Sequence, residues 1–417
     1  MEPCKPSELV VVIPEPIERQ LIELSSGVSG SETLAWAECT GIFRTDEGHI
    51  RLEILSDILY PPSTSLSHHI PCFIGQKPAG PISFDSLHES NDWKIPSLLL
   101  ISGPESSGSI TAYYVEPGDK STPAITTPCT VILLGDRQGL FDRISPVVNL
   151  SKLQDKKVAV IGLGSGGGFG AVELAKSGIG SLILVDYDRL EITNVSRHVC
   201  GLLDIGRWKT RAVKDKILQH NPDTDIVCHE VDITEQPELL ESIVGSVDMV
   251  FVATDNEISK YLINEQCVYH RVPAVYGGVY ERAFAGEVVL VMPDRGGCYS
   301  CVRQNLARTP GIVSSTAAGE YTDDLDAPHE PGLGIDVGFI ANLQVKIAVS
   351  GLLDDRIPVF NDPEDQMVIW VNSARPEDGP LFGSSLSRYF VKVPRVPECR
   401  TCGVLMNFEE PEDLAHE

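Results

Sequence analysis

Six glycines fall between positions 162 and 170, as Gly162, Gly164, Gly166, Gly167, Gly168 and Gly170. Residues without Cβ let a backbone approach a phosphate closely, and a helix beginning just beyond offers unpaired N–H groups and the positive end of its dipole. Asp186, at the end of the next apolar run, can accept hydrogen bonds from a ribose. That set points to a bound nucleotide, and the turn alone does not say which one. A second set is two Cys-x-x-Cys pairs, Cys298 with Cys301 and Cys399 with Cys402. Four thiolates closing a tetrahedron suit a structural zinc with no open position for catalysis, against the alternatives of a redox disulfide or buried thiols.

The elements that must hold the glycines are legible around them. Val158–Ile161 is a continuous apolar run expected to be a buried parallel strand. A helix is expected from about Phe169 to Ser177, stopped by Gly178, and Leu182–Val185 then forms the second strand, ending on Asp186. Together they make a βαβ unit with a glycine-rich first turn. Gly206 to His220 reads as a helix ended by Asn221-Pro222. Apolar runs recur at 226–231, 248–253, 274–276 and 287–292, which predicts a doubly wound α/β, Rossmann-like domain over residues 129–404. Residues 303–334 lack periodicity and hold Pro310, Pro328 and Pro331, and so read as a long mobile loop, followed by a helix from about Val337 to Leu353. Residues 405–417 form an acidic tail.

A smaller α+β domain is expected at 1–128, with strands at 9–13, 32–43, 49–59, 97–102 and 109–115 and a helix from Pro16 to Ser25. Pro117 to Thr127 reads as a linker. The order of elements in this first domain resembles the JAB/MPN metalloprotease fold. An active member would carry a His-x-His pair followed by Ser and Asp; here His68 and His69 are adjacent, and Ser83, Asp85 and His88 do not complete the pattern. The reading is a non-catalytic domain.

The 417 residues suffice for two or three domains, and 42% hydrophobic with 22% charged residues fits an ordinary globular composition. A net charge of -26 without a basic run argues against a nucleic-acid partner. No membrane association is expected, since no stretch approaches the length of a transmembrane helix and the N-terminus lacks a signal peptide's basic and apolar regions. Eleven cysteines, an odd count, fit a reducing cytoplasm better than a secreted disulfide framework.

Further motifs follow the glycine turn in a fixed order. They are Asp186-Tyr-Asp188, then Asn194-Val-Ser-Arg197-His198, Asp204-Ile-Gly206-Arg-Trp-Lys209, Ala253-Thr-Asp255-Asn256 and the two cysteine knuckles, with Arg143 upstream. Residues 138–404 thereby resemble the ubiquitin-activating-enzyme superfamily, in particular the bacterial adenylyltransferases of sulfur-carrier proteins in molybdopterin and thiamine synthesis. The resemblance implies that ATP lies over the turn, contacting Gly162, Gly164, Gly167, Asp186, Asp188, Asn194 and Asn256. It implies that the C-terminal glycine carboxylate of a ubiquitin-like protein attacks the α-phosphate. A carboxylate attacking a polyanion needs charge cancelled: Lys209 and Arg197 can do that, and Asp255 can hold Mg2+. Arg143 matches an arginine finger reaching the γ-phosphate from the other subunit of a homodimer. The departures are mild: Arg197-His198 stands where the family often has Arg-Gln, and Lys260 where relatives often have arginine.

Relatives that carry their modifier as a thioester have a cysteine after the first knuckle, and residues 302–398 contain none. Cys200, Cys228 and Cys267 read as packing residues, not nucleophiles. The hydroxyls of Ser314, Ser315 and Thr316 could accept the acyl group instead, or it could pass directly to a conjugating partner. The expected function is adenylation of a ubiquitin-like protein for conjugation, in a bacterial pathway of the antiviral-defence kind. The rivals are sulfur-carrier adenylation for a cofactor, a nicotinamide-dependent oxidoreductase, and a non-catalytic scaffold.

Overall fold

The computed structural model describes strands within residues 10–133, then residues 139–308, 332–353, 359–360, 362 and 364–403. It divides into two compact units, Met1–Leu140 and Phe141–Glu417.

The first unit contains one seven-stranded sheet, formed by β1 (Val10–Ile13), β2 (Ala35–Arg44), β3 (Ile50–Ile54), β4 (His69–Gln76), β5 (Ser97–Ser102), β6 (Ile110–Glu116) and β7 (Ile125–Leu133). Their spatial order is β1-β7-β6-β5-β4-β2-β3, with β1–β7 and β4–β5 parallel and the other pairs antiparallel. Two of these strands differ from the sequence reading. β4 was not expected, and β7 runs through Ile125–Thr127, the end of the expected linker, to pair with both β6 and β1. Pairing of distant segments decided this, because an interior strand can recruit Thr and Pro that local propensity assigns to a linker. The first unit therefore extends to Leu140, beyond the boundary expected at 128. His68, Ser83, Asp85, His88 and the helix expected at 16–25 lie outside the described residues.

The second unit is a three-layer α/β domain. Its strands are β8 (Lys157–Ile161), β9 (Ser181–Val185), β10 (Asp225–His229), β11 (Met249–Val252), β12 (Ala274–Val279), β13 (Ala285–Val291), β14 (Asp365–Val371) and β15 (Ser387–Lys392). The order is β10-β9-β8-β11-β12-β13-β14-β15. The first five are parallel to one another, and β13, β14 and β15 extend the sheet antiparallel. The doubly wound α/β fold expected from the repeated apolar runs is present. The sequence reading did not anticipate β14 and β15.

Both faces of the central parallel strands are covered, so Val158–Ile161 of β8, Leu182–Val185 of β9 and all of β11 are continuous apolar runs, whereas the edge strand β10 alternates buried and exposed residues at its start. Val158 and Val160 of β8, with Leu182 and Leu184 of β9, point to a layer of α1 (Leu150–Gln154), α2 (Ser165–Lys176), α3 (Lys209–His220) and α7 (Gly334–Leu353). Ala159, Ile161, Ile183 and Val185 point to the opposite layer of α4 (Pro237–Val244), α5 (Glu257–Tyr269) and α6 (Tyr299–Arg308). By length and composition α7 alone among the described helices could cross a membrane. Here Ile340, Ile347, Ala348 and Leu352 of that helix are buried against the sheet, which makes it a core helix.

The strand order reverses between β8 and β11. In open α/β sheets a crevice forms at such a switch, outside the carboxyl ends of the strands. Gly162 follows β8 there, and Ala253 follows β11.

Candidate nucleotide and metal sites

The glycine turn is built by contacts that exclude side chains. Gly162 has φ +88°, and a Cβ on it would lie 2.7 Å from the Ala253 carbonyl oxygen. A Cβ on Gly167 would fall 1.9 Å from the Gly162 oxygen, and one on Gly170 2.6 Å from the Phe251 ring. These glycines let α2 start at Ser165, four residues earlier than expected, and press against the ends of β8 and β11. Helix propensity disfavours glycine, but the close approach overrides it. Gly164 is different. Its φ of -66° suits any residue, and a Cβ there would meet nothing within 4 Å. The turn opens toward that position.

Asp186 and His198 stitch the turn in place. The Leu163 N–H donates to Asp186 Oδ2 (2.6 Å) and the Asp188 N–H to Asp186 Oδ1 (2.8 Å). Asp186 thus spends both oxygens on the backbone in addition to any role toward a ribose. Burial raises its carboxyl above the usual range, opposed by Lys209 and the two amides. His198 Nε2 lies 2.8 Å from the Leu163 carbonyl oxygen, while the Cys200 N–H donates to Nδ1 at 3.0 Å. That pairing fits a neutral ring with its proton on Nε2, and burial lowers the imidazole's pKa accordingly. The sequence reading treated His198 only as a departure from a motif; its sole local signal was its place beside Arg197.

The segment between Asp188 and Lys209 folds back on itself. Leu190 and Gly206 exchange backbone contacts with Arg207 and Leu190, and Gly206 turns the chain at φ +83°. The Arg189 guanidinium stacks 3.9 Å from the Trp208 ring. The closure returns Lys209, the first residue of α3, to Asp188: the backbone pairs at 3.0 Å and Nζ reaches Oδ2 at 2.6 Å. Lys209 is buried, with a side chain 10% exposed against 47% for Asp188. A buried ammonium beside a half-open carboxylate is poised to face an anion entering the crevice. Within this loop the Asn194 side chain accepts from the Glu191 N–H (3.0 Å) and caps a short 3-10 turn. Arg197 and His198 line a cavity of about 340 Å³ with Ser165 and Phe169 of α2 and Ile335 and Phe339 of α7.

Asp255 is exposed, at the turn after β11. Burial, and then the carboxylates of Asp188, Asp232, Asp255 and Asp186, raise the pKa of the Tyr187 hydroxyl. Asn256 caps α5, its Oδ1 accepting from Ile258 (2.7 Å) and Ser259 (3.3 Å). The Thr254 backbone abuts Gly162, so the Asp255 turn stands beside the glycine turn that Asp186 braces, and Lys209 pairs with Asp188 two residues on from Asp186. Arg143 lies exposed in hydrogen-bonded turns over 139–147. Among the described residues no hydrogen bond or ion pair joins it to the crevice. Ser314, Ser315 and Thr316 lie outside the described residues.

The cysteine pairs do converge. The Sγ atoms of Cys298, Cys301, Cys399 and Cys402 lie within 4.8 Å of one another, all buried, with Cys298–Cys399 at 3.6 Å and Cys301–Cys402 at 3.4 Å. Four thiolates about 2.3 Å from a tetrahedral zinc would be about 3.8 Å apart, so the donor set fits that ion with little adjustment. The Val396 N–H points at Cys301 Sγ (3.3 Å) and the Asn264 amide at Cys298 Sγ (3.6 Å), the outer contacts that stabilise bound thiolates. The first knuckle leads into α6, which runs to Arg308 and so takes in residues 303–308, expected to belong to the mobile loop. Burial raises the thiols of Cys200 (to about 12), Cys228 and Cys267, which accords with packing roles.

The ThiF family model matches residues 136–367, more than half of the chain and nearly all of the α/β unit up to β14. The protein belongs to the ThiF family. Among its curated relatives, ubiquitin-like modifier-activating enzyme 5 of Caenorhabditis elegans is 28% identical over 51% of this chain and 52% of its own length. The adenylyltransferase and sulfurtransferase MOCS3 of Aedes aegypti is 30% identical over 50% of this chain and 46% of its own. This ThiF-family chain spans about half the length of the curated relatives it matches. Among solved structures, E. coli MccB with MccA-N7isoASN superposes with a TM-score of 0.50 at 21% identity, over 64% of this chain and 75% of that one, a likeness of fold.

Proposed function

We propose that the protein adenylates the C-terminal glycine of a ubiquitin-like protein with ATP. The observation that carries this is the crevice at the β8/β11 switch, where a glycine turn open at Gly164 faces the buried Lys209 and the acids Asp188 and Asp255, in a ThiF-family chain. Free N–H groups at the start of α2 favour phosphate, and the open face at Gly164 leaves room for it.

In this reading the carboxylate oxygen of the modifier attacks the α-phosphorus of ATP. A new P–O bond forms, the bond to the oxygen bridging α- and β-phosphorus breaks, and pyrophosphate leaves. Lys209 and Arg197 offset the charge that gathers on the phosphates, which matters most in a crevice partly screened from water. Asn194 contacts a phosphate, and Asp186 and Asp188 lie where a ribose would sit, Asp188 being the more open. Asp255 and Asn256 stand beside the triphosphate, and Asp255 would hold a Mg2+ ion, which neutralises phosphate charge when bound. Arg143 would complete the site of a second copy in a homodimer. The four cysteines would hold a structural zinc away from the reaction, since all four positions around it are taken. The adenylate would pass to a conjugating partner, directly or through Ser314, Ser315 or Thr316. A cytoplasmic setting and a non-catalytic, JAB/MPN-like first domain belong to the same reading.

The test is pyrophosphate exchange into ATP, run with candidate ubiquitin-like proteins ending in glycine. Exchange should require the modifier and vanish in a folded Asp255→Ala variant. Full exchange by that variant would remove Asp255 from the mechanism, and hydride transfer to a nicotinamide without exchange would replace the proposal with its rival.

A further inference from the structure

Gln344 is a buried amide of α7, 2% exposed. Its Nε2 donates to the carbonyl oxygens of Val252 (2.8 Å) and Val275 (3.0 Å), one at the end of β11 and the other in β12. The two strands pair through Val252 and Tyr276, so the amide clasps them just where that pairing ends. Room for it has been made. A Cβ on Gly277 would lie 2.1 Å from Gln344 Oε1, so that position admits the amide only as glycine.

What hangs from this clasp is the Asp255 turn. Val252 is the last residue of β11; Ala253 donates to Ile161 (2.9 Å) and abuts Gly162, and Asp255 follows two residues later. The same helix reaches the other half of the crevice at its N-terminal end. A Cβ on Gly334 would lie 3.2 Å from the Arg197 Cα, and Ile335 and Phe339 line the cavity beside Arg197. One rigid helix therefore touches the arginine segment with its first turn and the root of the Asp255 turn through Gln344. A hydrophobic residue at 344 would fill the same space in the core. It would not hold two carbonyl oxygens.

We infer that Gln344 is a positioning residue for the nucleotide site: its amide fixes the end of β11 so that Asp255 stands at the distance from the glycine turn that a Mg2+-nucleotide requires. This rests on the nucleotide reading above. The experiment measures binding of ATP to the full chain by calorimetry across a Mg2+ series, with thermal unfolding as the check on folding. Gln344→Met should raise the Mg2+ concentration at half-saturation about tenfold, the loss typical when an outer contact of a metal site is removed. The near-isosteric Gln344→Glu, when protonated, has one O–H and can hold one of the two carbonyl oxygens; when ionised it can hold neither. Its Mg2+ requirement should approach the natural protein's at pH 6 and depart from it at pH 8, a profile that a space-filling role would not produce. A folded Gln344→Met or Gln344→Glu chain with an unaltered Mg2+ requirement at both pH values overturns the inference. If Gln344→Met does not fold, the pH comparison on Gln344→Glu decides. Failure of the natural protein to bind ATP at any Mg2+ concentration would overturn the nucleotide reading itself, and this inference with it.

Discussion

Gly164 and Gly162 stand two residues apart and would respond to substitution in opposite ways. At Gly162 the positive φ and the Ala253 carbonyl leave no room, so Gly162→Ala should destabilise the fold by at least about 1–2 kcal/mol from the backbone conformation alone. At Gly164 the backbone is ordinary and the space beyond is open, and serine is a better helix N-cap than most residues. Gly164→Ser is therefore expected to keep its melting temperature while losing affinity for ATP, read by calorimetry; unchanged affinity would mean that the open face holds no ligand. His198 contributes a pH dependence. Burial holds its pKa below the ordinary 6.5, so the unfolded chain takes up a proton that the folded ring resists. Its contribution is present above 6.5 and is lost as pH falls toward the folded value. Urea denaturation between pH 7.5 and 5.5 should show stability falling with pH, with a shallower fall in His198→Gln. Asp186 has the opposite sign: burial raises its carboxyl from 3.8, so its contribution is lost as pH rises, and comparing the natural protein with His198→Gln leaves that contribution the same on both sides.

Each secondary element around the crevice owes its place to long-range partners. The helix α2 carries four glycines, which by propensity alone would delay its start; packing on Phe251 and Gly162 moves that start forward to Ser165. α6 depends on the metal site in another way. Cys298 immediately precedes it and Cys301 lies in its first turn, and the chain beyond β15 contributes Cys399 and Cys402 from about a hundred residues away. One zinc per chain is expected by elemental analysis. Cys402→Ser should lose the metal and lower the melting temperature by several degrees, because a metal that binds only the folded chain contributes its binding energy to folding. Well-folded, metal-free natural protein would refute the site.

For the molecule as a whole, Arg143 poses the question that a single chain leaves open. Its exposed place in the turns before α1 fits a residue acting outside its own chain. In a homodimer with sites completed across the interface, mixing Arg143→Ala with Lys209→Ala subunits should restore up to about a quarter to a half of the exchange activity, since one composite site of the mixed dimer has both residues. A mixed dimer that exchanges subunits but stays inactive would place Arg143 in its own chain's site or in none.

The βαβ unit, the doubly wound sheet and the four cysteines could be read from the chain because each is written in local terms: apolar runs, glycine spacing, a two-residue gap between thiols. β14 and β15 could not, since they join the sheet antiparallel across more than seventy residues of intervening sequence from β13. β7 was half hidden for the same reason, being a Thr- and Pro-containing stretch made into a strand by two distant neighbours. At the site, the order of the motifs after the glycine turn and the resemblance it carries marked Lys209, Arg197 and Asp255, which their residue types alone would not have done. Only tertiary structure paired Lys209 with Asp188, turned Asp186 and His198 into supports of the glycine turn, and set Gln344 under the Asp255 turn. Chemistry capable of binding a nucleotide is a property of side chains and short spacings. Which of those side chains touches the ligand and which holds another in place depends on hydrogen bonds between segments far apart in the chain, and packing settles those.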